Sequence, residues 1–271
     1  MIGTAAGRAR RTRGRVPVAA IVPAIVAVGF FAVPLVGLLQ RAAWSHLWDD
    51  LSSPAAGDAL RLSLECSLWA TALSIGFGVP LAWVLARLEF PGRPFVRALT
   101  LLPLVLPPVV GGVALLLAFS RDSLIGGWLH DWFGVQLTFS KAGTVLAETF
   151  VAMPFFVITV EAALRSTDRR YEEAAATLGA NRWTVFRRVT LPMVLPSIAA
   201  GAALSWARAL GEFGATITFA GNIQGRTQTT PLAVYVLLQS NLDGAIALSL
   251  VMLAVSLVVL TLLRDRWLGN V

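Results

Sequence analysis

Four charged side chains, Glu148, Glu161, Arg208 and Glu212, stand inside stretches that are otherwise apolar. An ionised group in such surroundings pairs with another charge, carries a proton or lines a wet route, so these residues have chemistry to explain. Arg208 and Glu212 are four apart, which puts them on one helix face where they can neutralise each other. Glu148 and Glu161 fall near the two ends of their stretch, where water has access; a proton relay through them is one use, a simple end position the other. Glu65 follows Arg61 by four and reads as an end pair by the same spacing. Other reactive residues are scarce. His46 and His130 fall in separate outward segments and read as solvated rather than ligating. Cys66 has nothing beside it to activate a thiolate and reads as a small packing residue. No P-loop, no GxGxxG after a strand and no His or Cys cluster at metal spacing occurs. No nucleophile, base or metal set can be assembled, so the chain does not read as an enzyme. Energised work would draw on a partner or an ion gradient.

The elements that hold these residues follow from composition. The 271 residues are 56% hydrophobic and 14% charged, whereas soluble domains run about 45–50% and about 25%. A mean hydropathy of +0.73 agrees. Such a chain is neither disordered, collagenous nor disulfide-stapled, and it cannot cover a soluble surface with polar groups. Crossing a bilayer takes about 20 apolar residues. Val16–Leu39, Cys66–Ala86, Ala98–Ser120 and Gly244–Leu263 supply 24, 21, 23 and 20 residues without a charge. Ala142–Leu164 and Val194–Ala220 add two spans that carry the four charges above. None alternates like a barrel strand. The expectation is an all-α integral membrane protein of six transmembrane helices, with no soluble domain attached. The first apolar run is too long for a signal peptide's core of about 7–15 residues, and reads as a retained span.

Arginine sets the orientation. Of the 22 basic residues, 16 lie before span one, between spans two and three, between four and five, and after six. Five lie in the other loops, and Arg208 is inside span five. Basic loops stay cytoplasmic, so both termini face inward. The charge of +7 is thus accounted for without a nucleic-acid partner. A basic tail at 1–15, a membrane domain at 16–264 and a short cytoplasmic tail at 265–271 complete the organisation. Trp44, Trp48, Trp128 and Trp132 fall outside, where amphipathic rings suit the interface.

The inward loop at about 165–193 carries the most pattern. Asp168 can cap a helix start, with Glu172 and Glu173 early enough to suit its positive end. Tyr171, Ala174, Ala175 and Leu178 share one side, and Gly179 can take the left-handed turn that closes a helix. A second short helix follows, with Trp183 and Phe186 on one face, and Pro192 and Pro196 mark the start of span five. Periodicity alone leaves two readings open, a basic helix lying on the membrane or a hairpin shaped for another protein's groove.

The residue pattern of this loop resembles the EAA signature of ABC importer permeases, EAA-x3-G-x9-I-x-LP. Glu173, Ala174, Ala175, Gly179, Leu191 and Pro192 match it, and Val189 replaces the isoleucine. The stretches PLAWVLAR (80–87), FPGR (90–93), LPLVLPPVVGG (102–112), RALGEFGAT (208–216), AGNIQGRTQT (220–229) and PLAVY (231–235) resemble the molybdate permease family within that group. The sulfate/thiosulfate permeases are near relatives. The resemblance implies a type I permease-like fold working as a homodimer, with two cytoplasmic ABC ATPase subunits docking on the EAA loop. It also implies an extracytoplasmic oxyanion-binding protein, a prokaryotic plasma (inner) membrane setting, and alternating access. The permease itself would bind no cofactor, since ATP is used by the partner. Pro107 and Pro108, with Gly111 and Gly112, break the ladder of span three, as a static kink or as a gated wall facing span five. Arg208 either pairs with Glu212 for insertion or helps the anion pass. Molybdate, tungstate and sulfate are all tetrahedral dianions, and no residue here selects among them. In a different class, a proton-coupled secondary transporter would use Glu148, Glu161 and Glu212.

Overall fold

A computed structural model describes residues 18–267, and among them all regular structure is helical. The basic tail at 1–15 and residues 268–271 lie outside the described residues. Helix α1 (Val18–Arg41) forms a unit of its own. It is apolar on all sides, and its 24 residues reach about 36 Å, enough to cross hydrocarbon.

The second unit begins with α2 (Leu47–Leu51) and the 34-residue α3 (Pro54–Arg87). Ser53 accepts the Ala56 amide at 3.3 Å and Pro54 takes the first turn, where a missing amide costs nothing. Next come α4 (Arg93–Val105), α5 (Pro108–Phe119), α6 (Leu124–Phe133) and α7 (Lys141–Ser166). Ser123 and Ser140 cap the last two through the Gly126 and Gly143 amides. The cytoplasmic loop holds α8 (Arg170–Thr177) and α9 (Arg182–Val185), which runs through a π-helical turn (Phe186–Thr190) into α10 (Leu191–Leu210). The short α11 (Gly214–Phe219) and α12 (Thr230–Ser240) lead to α13 (Leu242–Trp267).

Among the described residues five helices are long and apolar enough to span, and α4 with α5, counted as one broken span, brings the number to six. Two expectations need correction. Span three is no kinked rod: its halves turn through 119° at Leu106–Pro107. Pro107 and Pro108 remove two successive amides, and Leu106, preceding a proline, is held extended at ψ 132°. Span five stops at Leu210 rather than Ala220, because Gly211–Phe213 leave the helix before α11 starts.

Small residues let α3, α7 and α10 approach closely. Phe156 of α7 is fully buried against Gly78 of α3, where a Cβ would meet its ring at 2.5 Å, and against Gly201 of α10, at 3.3 Å. Leu85, Val157, Val160, Leu164, Val194 and Ile198 continue this core inward, and Ala70, Ala152 and Ala209 continue it outward. Trp206 donates to Ser67 at 2.9 Å across the same seam. A second cluster joins α5, α7 and α11 through Leu115, Val151 and Phe219. The outward tryptophans Trp44, Trp48, Trp128 and Trp132 are exposed.

Candidate functional site

The cytoplasmic loop is built by local bonds. Asp168 accepts the Arg170 amide at 3.0 Å to start α8. At its other end the Ala180 amide reaches the Ala175 carbonyl and the Gly179 amide the Ala176 carbonyl, a Schellman closure. That closure needs a left-handed residue, and Gly179 supplies it with φ +86°. Asn181 then caps α9 by accepting the Thr184 amide at 2.8 Å, a role the sequence reading missed although an Asn ahead of a helical run announces it.

The second short helix does not stand apart. It is the cytoplasmic end of span five, continuous from Arg182 to Leu210. Pro192 lacks an amide and would crowd the Arg188 carbonyl; the wider π turn just before it absorbs that, with the Leu191 amide bonding to Phe186. Leu191 packs on the bundle core, while Pro192 is exposed. Phe186 stacks on Trp183 at 5.7 Å and meets Trp83 of α3 edge-on at 6.0 Å.

Glu172 locks α8 in place. Its Oε1 binds Arg87 Nη2 at 2.8 Å and accepts the Thr190 hydroxyl at 3.0 Å. One carboxylate thus joins the last residue of α3, α8 and the π turn. The signature residues lie on the other side. Glu173, Ala174 and Gly179 are exposed, Ala175 is half-buried, and Leu178 is 89% exposed. An apolar, small-residue surface with a carboxylate at its start can dock on a protein with a basic rim. It holds no group arranged for bond-making chemistry.

At the far end of α10 the other charged residues meet. Arg208 binds Glu212 at 2.6 Å, and the second oxygen of Glu212 accepts the Ala215 amide at 2.8 Å. The cation therefore sits at the C-terminal end of α10 and the anion at the start of α11, each opposite in sign to its helix end. The two are not on one continuous helix, as the spacing suggested, but face each other across its end. Gly214 of this break packs on Pro108, leaving 2.7 Å between a Cβ there and the proline, and Gly112 lies against Ala215. Pro107, Pro108, Arg208 and Glu212 thus belong to one region where two broken spans touch.

The remaining acids correct the expectation of water access. Glu148 is 1% exposed and Glu161 2%. Glu161 binds Arg165 at 2.7 Å and Arg97 at 3.5 Å. Thirteen residues of α7, about 20 Å, separate it from Glu148, and no ion pair reaches Glu148 among the described residues. The expected Arg61–Glu65 pair is present at 2.7 Å, and Lys141 joins it. His130 is half-buried on α6 rather than solvated, and His46 is exposed beside Asp49.

Residues 78–271 match the family described as the binding-protein-dependent transport system inner membrane component. The chain belongs to that family. It is a permease subunit, the non-catalytic membrane component of an ABC transporter, and a multi-pass membrane protein. The permease is 48% identical over 237 residues to the molybdenum transport system permease protein ModB of Mycobacterium tuberculosis, covering 88% of this chain and 89% of that one. With ModB of Escherichia coli the identity is 45%, over 79% and 93% of the two chains. The sulfate transport system permease protein CysT of E. coli is 40% identical, over 83% and 82%. A crystal structure of a bacterial alginate ABC transporter, in complex with an alginate pentasaccharide-bound periplasmic protein, superposes on the permease with a TM-score of 0.74. It does so at 21% identity over 93% of this chain and 94% of that one, a likeness of fold.

Proposed function

We propose that this permease carries a tetrahedral oxyanion, molybdate, across a prokaryotic inner membrane as the transmembrane half of an ATP-driven importer. Two copies related by a two-fold axis enclose the route, an extracytoplasmic binding protein delivers the anion, and two ATPase subunits dock on α8 through Glu173, Ala174, Ala175 and Gly179. The higher identity to relatives named for molybdenum transport than to one named for sulfate transport supports molybdate over sulfate, and tungstate shares its geometry.

The observation that carries the reading is the exposed α8 surface tied to a single rod. Glu172 fixes α8 to the π turn. From there α10 runs unbroken over 20 residues, about 30 Å, to the Arg208–Glu212 pair and the Pro108 contact. Closure of the ATPase pair moves α8, the rod transmits that movement, and the touching breaks in spans three and five change which side is open. Arginine pairing of Glu161 and Glu212 removes two of the three acids a proton-coupled carrier would use.

Reconstitution with the ATPase and binding protein in vesicles tests it. Labelled molybdate uptake is expected to require ATP, with tungstate competing strongly and sulfate weakly. Equal competition by sulfate would change the substrate, and uptake driven by a proton gradient without ATP would sink the importer reading.

A further inference from the structure

Three arginines converge where α4 begins and α7 ends. Arg93 opens α4, Arg97 follows one turn later, and Arg165 lies in the last turn of α7. With Pro94, Ala98 and Leu101 they line a cavity of about 480 Å³. Beneath it Glu161, 2% exposed, takes Arg165 at 2.7 Å and Arg97 at 3.5 Å. One carboxylate faces three guanidiniums, so positive charge is in surplus. Arg93 has no carboxylate within ion-pair reach among the described residues. Arg97 and Arg165 remain 47% and 40% exposed. Arg165 spends Nε and Nη2 on Glu161 and the Leu85 carbonyl and keeps Nη1, while Arg97 meets Glu161 through Nε and keeps both Nη groups as a planar fork for phosphate oxygens.

A second feature adjoins the charge. Ala98 and Leu101 of the pocket are followed at helical spacing along the same side of α4 by Leu102 and Val105, which are 46% and 84% exposed. A free anion would use the arginines and leave this stripe bare. A lipid uses both, its headgroup on the guanidiniums and its chains along the stripe. The arginine distribution puts these ends of α4 and α7 at the inner leaflet, where basic pockets between helices meet anionic headgroups.

We infer that the Arg93–Arg97–Arg165 pocket holds the phosphodiester headgroup of an anionic phospholipid from the inner leaflet. The ligand is part of the permease's structure rather than its cargo. It braces α4 against α7 at the inner root of the broken span.

Full-length permease extracted from vesicles of phosphatidylglycerol and phosphatidylcholine tests this by mass spectrometry of the lipid it retains. The protein is expected to keep phosphatidylglycerol in preference. Each lost arginine is worth about fivefold in retention, so Arg93→Gln lowers it about fivefold and Arg93→Gln with Arg97→Gln about twenty-five-fold. Arg121→Gln, outside, leaves it unchanged. Arg93→Gln touches no ion pair, so its result stands even where the double variant misfolds. Equal retention by Arg93→Gln and the parent overturns the proposal. So does displacement of the lipid by millimolar inorganic phosphate, which would make the site one for a soluble oxyanion.

Discussion

The cytoplasmic loop and the touching helix breaks sit at the two ends of one rod, and they handle charge differently. In the loop, labour is divided between neighbours. Glu172 turns inward to Arg87 and Thr190, while Glu173 stays exposed. At the breaks a single residue does everything. Glu212, 1% exposed, neutralises Arg208 with one oxygen and holds the start of α11 with the other. A surface organised the first way can change its partner contacts without unfolding. A site organised the second way cannot lose either charge alone.

The largest expected effect comes from separating the buried pair. Arg208→Leu strands a carboxylate in an apolar surrounding, at a cost of about 3–5 kcal/mol. Thermal unfolding in detergent and the amount of protein in the membrane are both expected to fall sharply. Arg208→Gln with Glu212→Gln is expected to recover most of that loss, since the glutamine oxygen still accepts the Ala215 amide. If the recovered protein transports, the pair serves the fold; if it assembles but does not transport, Arg208 serves the route. A stable single variant would break the comparison.

Which of these features could be read from sequence follows the range of the interactions involved. Gly179 and Asp168 act on amides a few residues away, and both do in the structure what their spacing announces. Apolar runs announced six spans, since crossing hydrocarbon is a property of one segment at a time. Glu172 was opaque because its partners lie 85 and 18 residues away. Glu161 looked accessible near a helix end until Arg97, from a different helix, covered it. The consecutive prolines foretold a break in span three, but the 119° angle depends on where α5 finds α11 to pack against. The short helices α6 and α12 pass beneath any span-length test.

A middle-sized effect sharpens the division of labour within α8. Glu172→Ala leaves Arg87, 6% exposed, without its carboxylate. Hydrogen bonds to charged groups are worth about 1.5–3 kcal/mol, so the melting temperature should drop measurably. Glu173→Ala, one residue on, should stay within about 0.5 kcal/mol of the parent and yet weaken association with the ATPase. Equal destabilisation by the two would mean that the loop does not separate folding from docking.

A change confined to one backbone turn is the most informative about coupling. A Cβ at Gly179 would meet nothing within 4 Å, so a substitution there acts through the backbone alone. Holding an L-residue at φ +86° costs roughly 1–2 kcal/mol, less for Asn, which tolerates the left-handed region. Gly179→Val is therefore expected to leave the bundle inserted while α8 loses its closure and the angle it makes with the rod. ATP hydrolysis by the assembled complex should continue while uptake per ATP falls severalfold. Gly179→Asn keeps the turn and should transport nearly as the parent does. Normal transport by the valine variant would mean that the turn does not set the lever. Equal failure of valine and asparagine would point to a contact made by the ATPase on the glycine itself, and the division drawn between the loop's two sides would then have to be redrawn around that contact.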